Sequence, residues 1–187
     1  MKRVSSPAFQ SCCVQPTFLI GTTNEDGSPN FAPITWIAAT HDTDHYLLVV
    51  SLFGTKRTRR NVERTGMLSA NLVSADMLPM LDYYGSCSGN NGTKDAFADE
   101  VEQGLVLPVP TLRPSRWVYE CEAERSVVTG DTGTYFCAMR NVQVMEELQH
   151  AKELDLTVLD PIVYAGDYHT IGRHLGKIGD FWPPKAE

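Results

Sequence analysis

The chain lacks the features that usually announce a function. No 18-residue apolar run occurs in its 187 residues, which excludes a spanning helix. The N-terminus lacks the charged start, apolar run and small-residue cleavage site of a signal peptide, and both absences point to the cytoplasm. There is no Walker loop and no GxGxxG, so a nucleotide-like cofactor would be held outside those phosphate loops. There is no GxSxG, and no cysteine stands in a recognisable nucleophile context. Positive charge is also scarce: a net charge of −7 and a pI near 5.2 argue against general nucleic-acid or anionic-membrane binding. The five cysteines are odd in number and lack CxxC spacing. Vicinal Cys12 and Cys13 read either as a strained redox pair or as two free thiols. Cys121 and Cys137 lie in strand-like runs and read as small buried hydrophobes.

What is present is an ordinary globular composition, 42% hydrophobic and 21% charged. It fits one domain over residues 1–187, with an N-terminal arm at 1–13 and a C-terminal tail at 179–187. "TFLIGTTNEDGSPNFAPITWIAAT" reads as two strands around an Asp-Gly turn. "HYLLVVSLF" is a third strand, apolar enough for burial on both faces. A helix is expected from Thr58 as N-cap to Gly66, then a strand in "MLSANLV". A second helix follows, capped by Ser74 or Asp76, with Pro79 in its first turn. "RWVYECEAERSVV" alternates, setting Trp117, Tyr119, Cys121 and Ala123 against charged residues on the other face. After the turn "GDTG" comes another long strand. Many strands with few short helices predict a mainly β protein, a closed or partly open barrel.

Metal chemistry has little to stand on. "THDTDH" sets His41 and His45 beside two aspartates, but its place before an apolar strand favours a polar turn, and His169 and His174 lack further ligands. The conspicuous stretch is "SLFGTKRTRRNVERTG", with Lys56, Arg57, Arg59, Arg60 and Arg64 among sixteen positions. On a helix, Thr58, Asn61, Val62 and Thr65 share one face, Arg59 can pair with Glu63 at i+4, and Arg59, Arg60 and Arg64 are expected to face solvent or a second subunit. Lys56, Arg57 and Thr58 sit where unpaired N–H groups and a partial positive charge suit a phosphate. A phosphate site and a solvated helix face both remain open on this evidence.

Three fragments in order resemble the flavin reductase-like family of FMN-binding split β-barrels. They are "PTFLIGTTNEDGSPNFAPITWIAAT", "LLVVSLFGTKRTRRNVERTGMLSANLVSADML" and "YYGSCSGNNGTKDAF". The first carries P-x3-I-G-T-x3-DG-x-PN-x-AP and the second S-x6-T-x2-NV-x2-TG-x4-N. The tail "PIVYAGDYHTIGRHLG" is similar to the family's closing strand. The resemblance implies a Greek-key split barrel, homodimeric, with FMN near the subunit interface. It assigns Pro33, Ile34, Thr35 and Trp36 to the flavin ring, and Ser51, Lys56, Arg57 and Thr58 to the phosphate. Asn61 and Asn71 also match, and are expected to make a helix-to-loop hydrogen bond and a strand-end turn.

The function this implies is flavin reduction: hydride or electrons pass from NAD(P)H to FMN and on to an acceptor. Thr35, by hydroxyl or backbone N–H, is the candidate partner of the ring near N5, and no residue is assigned a catalytic role. One departure is Gly130-Asp131-Thr132, where many family reductases carry a histidine. It brings forward an alternative, a flavoredoxin-like electron carrier not reduced directly by NAD(P)H. A further alternative is a non-catalytic split barrel binding another anion. His169 either approaches the flavin from the tail or closes the barrel as a half-exposed polar residue. Trp36 either stacks near the flavin or anchors a dimer, Trp117 reads as core, and Trp182 packs on a partner subunit or stays loose.

Overall fold

The structure, a computed structural model, describes Arg3, Ser5 and residues 14–90, 92 and 94–176. Cys12, Cys13 and Trp182 lie outside the described residues. The strands are β1 (Gln15–Pro16), β2 (Phe18–Thr23), β3 (Pro29–Ile34), β4 (Ile37–His41), β5 (Tyr46–Phe53) and β6 (Met67–Leu72). They continue with β7 (Val101–Gln103), β8 (Pro110–Leu112), β9 (Trp117–Thr129), β10 (Thr132–Val144), β11 (Ile162–Tyr164) and β12 (Tyr168–Thr170). The helices are α1 (Arg57–Thr65), α2 (Leu78–Ser86) and α3 (Leu156–Leu159).

Seven strands form one antiparallel sheet in the order β3-β2-β6-β9-β10-β5-β4. β3 and β4 lie at opposite edges of that sheet, yet only Thr35 and Trp36 separate them in sequence. Three Cα–Cα steps bridge Ile34 and Ile37, roughly 11 Å at most. The sheet must therefore curl until its two edges nearly meet, leaving a split at Thr35–Trp36. Two strands, β3 and β4, therefore follow the Asp-Gly turn where the sequence pattern predicts one. Pro33 cannot donate to a ladder, so it suits an edge strand, and the chain leaves that edge immediately afterwards.

Turn chemistry sets the registers. Asp26 Oδ1 accepts from Ser28 N at 3.0 Å and Ser28 Oγ at 2.6 Å, while Gly27 takes a φ of 84°. Gly66, with φ of 70°, ends α1 by donating its N–H to Val62 O at 2.8 Å. Ser74 precedes a 3₁₀ turn, Ala75–Met77, but neither Ser74 nor Asp76 caps α2, whose N-cap position is Met77 with no side-chain bond; Pro79 lies in the first turn of α2, as expected.

Two cores follow from the two faces of the sheet. Ile20, Val50, Leu68, Ala70, Cys121 and Cys137 fill the interior. Leu19, Phe31, Leu81, Tyr84 and Ile162 pack between the outer face and α2. Alternation along β2 feeds both, which is why that strand is apolar throughout. Burial pushes the Cys137 thiol up to about 12 and Cys121 upward as well, so both are inert core thiols. Trp117 is only half-buried, its ring tilted against Tyr119.

One face assignment fails on β9. Glu120 alternates with the expected apolar residues, yet it is fully buried. The loop before β8 folds over it, and the carboxylate accepts N–H groups from Leu105, Val106 and Leu107. Asn141 and Gln143 on β10 donate to the same carboxylate at 2.6 and 2.9 Å.

Candidate functional site

A cleft of about 470 Å³ opens at the split, between the strand break at Thr35–Trp36, the end of β5, the start of α1 and the loop after α2. All eight sequence-predicted residues line it: Pro33, Ile34, Thr35 and Trp36 from the break, Ser51 from β5, and Lys56, Arg57 and Thr58 from the helix start. Local geometry explains their meeting. The split places 33–36 beside β5, and β5 delivers the chain straight into α1, with Ser51 N donating to Trp36 O at 2.9 Å.

The break supplies the apolar end. Trp36 is 52% exposed, so it offers a large flat face to the cleft. The Thr35 hydroxyl donates to Gln15 Oε1 at 2.8 Å, and among the described residues its backbone N–H has no acceptor.

The helix start supplies the polar end, with one correction to its boundary. Lys56, not Thr58, occupies the N-cap position, and its side chain makes no capping bond. The first helical backbone bond runs from Arg60 N to Lys56 O, so the N–H groups of Arg57, Thr58 and Arg59 precede it. Thr58 sits inside the first turn because its hydroxyl is held from behind: it accepts Asn30 Nδ2 at 3.0 Å. Ser51 Oγ shares a hydrogen bond with Thr134 Oγ1 at 2.9 Å.

The five cations of this stretch divide sharply. Arg57 Nε donates to Gly89 O at 3.1 Å, Arg60 bonds Asn90 Oδ1 at 2.5 Å, and Arg64 donates to Thr23 O. Arg59 pairs with Glu63 at i+4, as expected. It also donates to Asp131 O at 2.8 Å and lines the cleft, so it is not a solvent-facing cation. The Arg59 hydrogen bond holds the Glu63 carboxyl below its usual range, with Tyr135 OH donating to the same carboxylate. Lys56 alone of the five makes no hydrogen bond or ion pair with the described residues.

Sequence reasoning missed Lys94. It is 8% exposed, lines the cleft, and donates from Nζ to Phe31 O and Tyr84 O at 2.8 Å each. Burial lowers its pKa, and among the described residues no carboxylate pairs with it. Nothing in its Gly- and Asn-rich loop signals this, because the convergence of β3 and α2 creates the site. Asn30, the asparagine of the PN motif, also lines the cleft, a role its motif does not predict. It is 3% exposed and bonds both Thr58 and Thr22.

Asn61 and Asn71 hold the frame. Asn61 Nδ2 reaches Thr22 Oγ1 at 3.1 Å and Asn24 Oδ1 at 2.9 Å, tying α1 to the β2–β3 turn as expected. Asn71 is buried inside β6, not at a turn, and joins Leu19 O to Leu112 N. His169 is exposed on β12, opposite Val163, and is not among the cleft residues. "THDTDH" is the polar turn between β4 and β5, with Asp42 N donating to His45 O. Among the described residues no three His, Cys, Asp or Glu side chains converge as metal ligands. Nor is any described helix long and apolar enough to cross a membrane.

A cleft with one apolar wall and one uncapped, cation-flanked helix start is the shape the family resemblance calls for. Residues 10–172 match the family described as flavin reductase like domain. The chain belongs to that family. Its members are flavin-related oxidoreductases, and the mainly β split-barrel class expected from the sequence is the one found. No curated protein matches the chain. Among solved structures, flavoredoxin of Desulfovibrio vulgaris (Miyazaki F) is similar with TM-score 0.84 and 23% identity, over 97% of this chain and 99% of that one. Nitrilotriacetate monooxygenase component B from Bacillus cereus gives 0.81 and 18%, over 95% and 99%. An FMN-binding protein from Thermus thermophilus, with bound 1-cyclohex-2-enone, gives 0.76 and 21%, over 95% and 97%. At these identities the likeness is one of fold.

Proposed function

We propose that the cleft binds one FMN per chain and that the protein is an FMN-dependent oxidoreductase of the flavin reductase type. The observation that carries this is the joining of both ends in one cavity of about 470 Å³, a size suited to a cofactor. The donor set fits the group. Free helix N–H groups, the Lys56 ammonium, the Arg57 guanidinium and the Thr58 and Ser51 hydroxyls suit a phosphate. Pro33, Ile34 and Trp36 suit a flat, largely apolar ring.

When bound, FMN supplies the redox chemistry, taking a hydride equivalent from NAD(P)H and passing electrons to an acceptor. The chain's own residues bind and orient. Trp36 and Ile34 would flank the ring, Thr35 would offer its backbone N–H, and the helix start would hold the phosphate. No general acid or base is needed. Arg59, bonded to Asp131 O, holds the β9–β10 turn against the start of α1 and keeps that end rigid.

A second reading is a flavoredoxin-like carrier reduced by another protein. It is favoured by the turn Gly130-Asp131-Thr132, which offers no histidine near the cleft. We also infer a homodimer, for which exposed Tyr46, Phe53, Val127 and Val128 supply apolar surface. A cytoplasmic setting suits the free thiols Cys87, Cys121 and Cys137.

The visible spectrum of purified protein is the primary test. A colourless protein that leaves free-FMN fluorescence unquenched would refute flavin binding and leave the non-catalytic barrel. If the protein is yellow, anaerobic mixing with NADH and NADPH should bleach it; no bleaching with either supports the carrier. Lys56→Ala and Thr58→Ala should each weaken FMN binding by about 1.5–3 kcal/mol, the worth of a charged hydrogen bond. Light scattering coupled to gel filtration tests the dimer.

A further inference from the structure

Asn30 lies on β3 beside the start of α1, where it also lines the cleft, and both hydrogens of its amide are engaged by hydroxyl oxygens. Nδ2 donates to Thr58 Oγ1 at 3.0 Å and to Thr22 Oγ1 at 3.1 Å. Thr22 is then saturated. It accepts a second amide from Asn61 at 3.1 Å, and its own hydroxyl points to Asn30 O at 3.4 Å. The second Asn61 contact, to Asn24, ties this chain to the β2–β3 turn, where Asn24 Nδ2 donates to Ser28 Oγ at 2.9 Å. Asn30, Thr22, Thr58 and Asn61 are each at most 3% exposed, so water does not compete for these bonds.

The consequence falls on Thr58. A hydroxyl has one proton and two acceptor sites. Asn30 fills an acceptor site, so the Thr58 proton is not directed back into the barrel. Among the described residues it meets no acceptor, although the residue is almost wholly buried and lines the cleft. A buried hydroxyl held as a donor, beside the Arg57, Thr58 and Arg59 N–H groups that precede the first helical backbone bond, suits an anion.

We propose that Asn30 is a positioning residue that fixes Thr58 as a donor toward the cleft, so that the protein selects phosphorylated FMN over riboflavin. This rests on the FMN reading above. With an acceptor at position 30, Thr58 would turn its proton inward and present a lone pair to the phosphate. The amide sets the direction of the hydroxyl, and the hydroxyl makes the contact.

The test is a double-mutant cycle with Asn30→Leu and Thr58→Val, read by fluorescence titration with FMN and with riboflavin. Leu removes the amide at similar size and adds no charge. Each single variant should weaken FMN about tenfold, the loss of one hydrogen bond to a charged group. Riboflavin binding should change less than about threefold. The double variant should lose little beyond Thr58→Val alone, because Asn30 acts through Thr58. An unchanged FMN-to-riboflavin ratio in Asn30→Leu overturns the proposal, and so does full additivity of the two losses. If Asn30→Leu melts below the assay temperature, Asn30→Asp replaces it in the same cycle. Its repulsion of phosphate must then shrink in the Thr58→Val background, whereas a purely electrostatic effect of the new charge would persist. A wild-type protein that binds neither flavin refutes the FMN reading itself.

Discussion

Glu120 gives the sharpest test of how the frame is held. Five donors converge on it: Leu105 N at 3.0 Å, Val106 N at 2.9 Å, Leu107 N at 2.6 Å, and the Asn141 and Gln143 amides. Burial would raise this carboxyl, but the Leu107 N–H, the Asn141 amide and the other donors more than offset it and hold the pKa below the usual range. Glu120→Gln keeps the shape and replaces one acceptor oxygen with an NH2 group. Oε1 faces three donors and Oε2 two, so at least two N–H groups lose their acceptor and meet another donor. At about 1–3 kcal/mol per orphaned group, partly relieved by water at the exposed loop, the expected loss is about 2–4 kcal/mol. Urea unfolding at neutral pH measures it. The sign with pH also follows. The folded value is depressed, so the stabilisation is present above the ordinary glutamate range and is lost as pH falls through the lowered value. The gap between wild type and variant should therefore narrow on acidification. Hydrogen exchange provides a local readout, since the Val106 amide should be protected in wild type although the residue is 60% exposed. A loss below about 1 kcal/mol, with Val106 exchanging freely in the wild type, would refute the reasoning.

Three other substitutions probe separate parts of the frame. A Cβ at Gly21 would lie 2.7 Å from the Phe31 ring and closer still to Ser69 Oγ and Pro110 O, so Gly21→Ala should cost about 3 kcal/mol in denaturant unfolding. Lys94→Met removes the ammonium from two buried carbonyls and should cost about 1–3 kcal/mol at neutral pH. Because burial lowers the Lys94 pKa, the unfolded chain binds more protons between that value and the ordinary lysine value. Wild-type stability should thus gain a rising contribution over that alkaline window, and stability-versus-pH curves of Lys94→Met should lack it. Arg59→Ala should move the Glu63 titration up toward the usual carboxylate range, followed by carbon NMR, since the Arg59 hydrogen bond is the largest cause lowering it.

How much of this was legible in the sequence depends on the range of the interaction. Residues 15–72 declare their strands and their helix because alternation, Asp26-Gly27 and Gly66 act locally. All eight predicted cleft residues meet for the same reason: they flank one strand break and one strand-to-helix junction. The break itself was hidden. An apolar run through Ile34 and Ile37 looks the same whether the chain stays on one edge or crosses to the other, and only strand pairing decides. Glu120 and Lys94 were hidden differently, since charged residues on an alternating strand or in a polar loop read as solvated. Each is buried because a segment distant in sequence folds over it and supplies the hydrogen bonds that make burial tolerable. The basic stretch shows the same limit in reverse, because counting charge overstated the anion site. Arg57, Arg59, Arg60 and Arg64 make bonds that strap α1 to its neighbours, whereas Lys56 makes none with the described residues. Phosphate affinity should therefore depend more on Lys56, Thr58 and the backbone than on the arginines that dominate the sequence. Salt sensitivity of FMN binding should correspond to about one or two cations, not five, because screening acts only on charge left for the ligand.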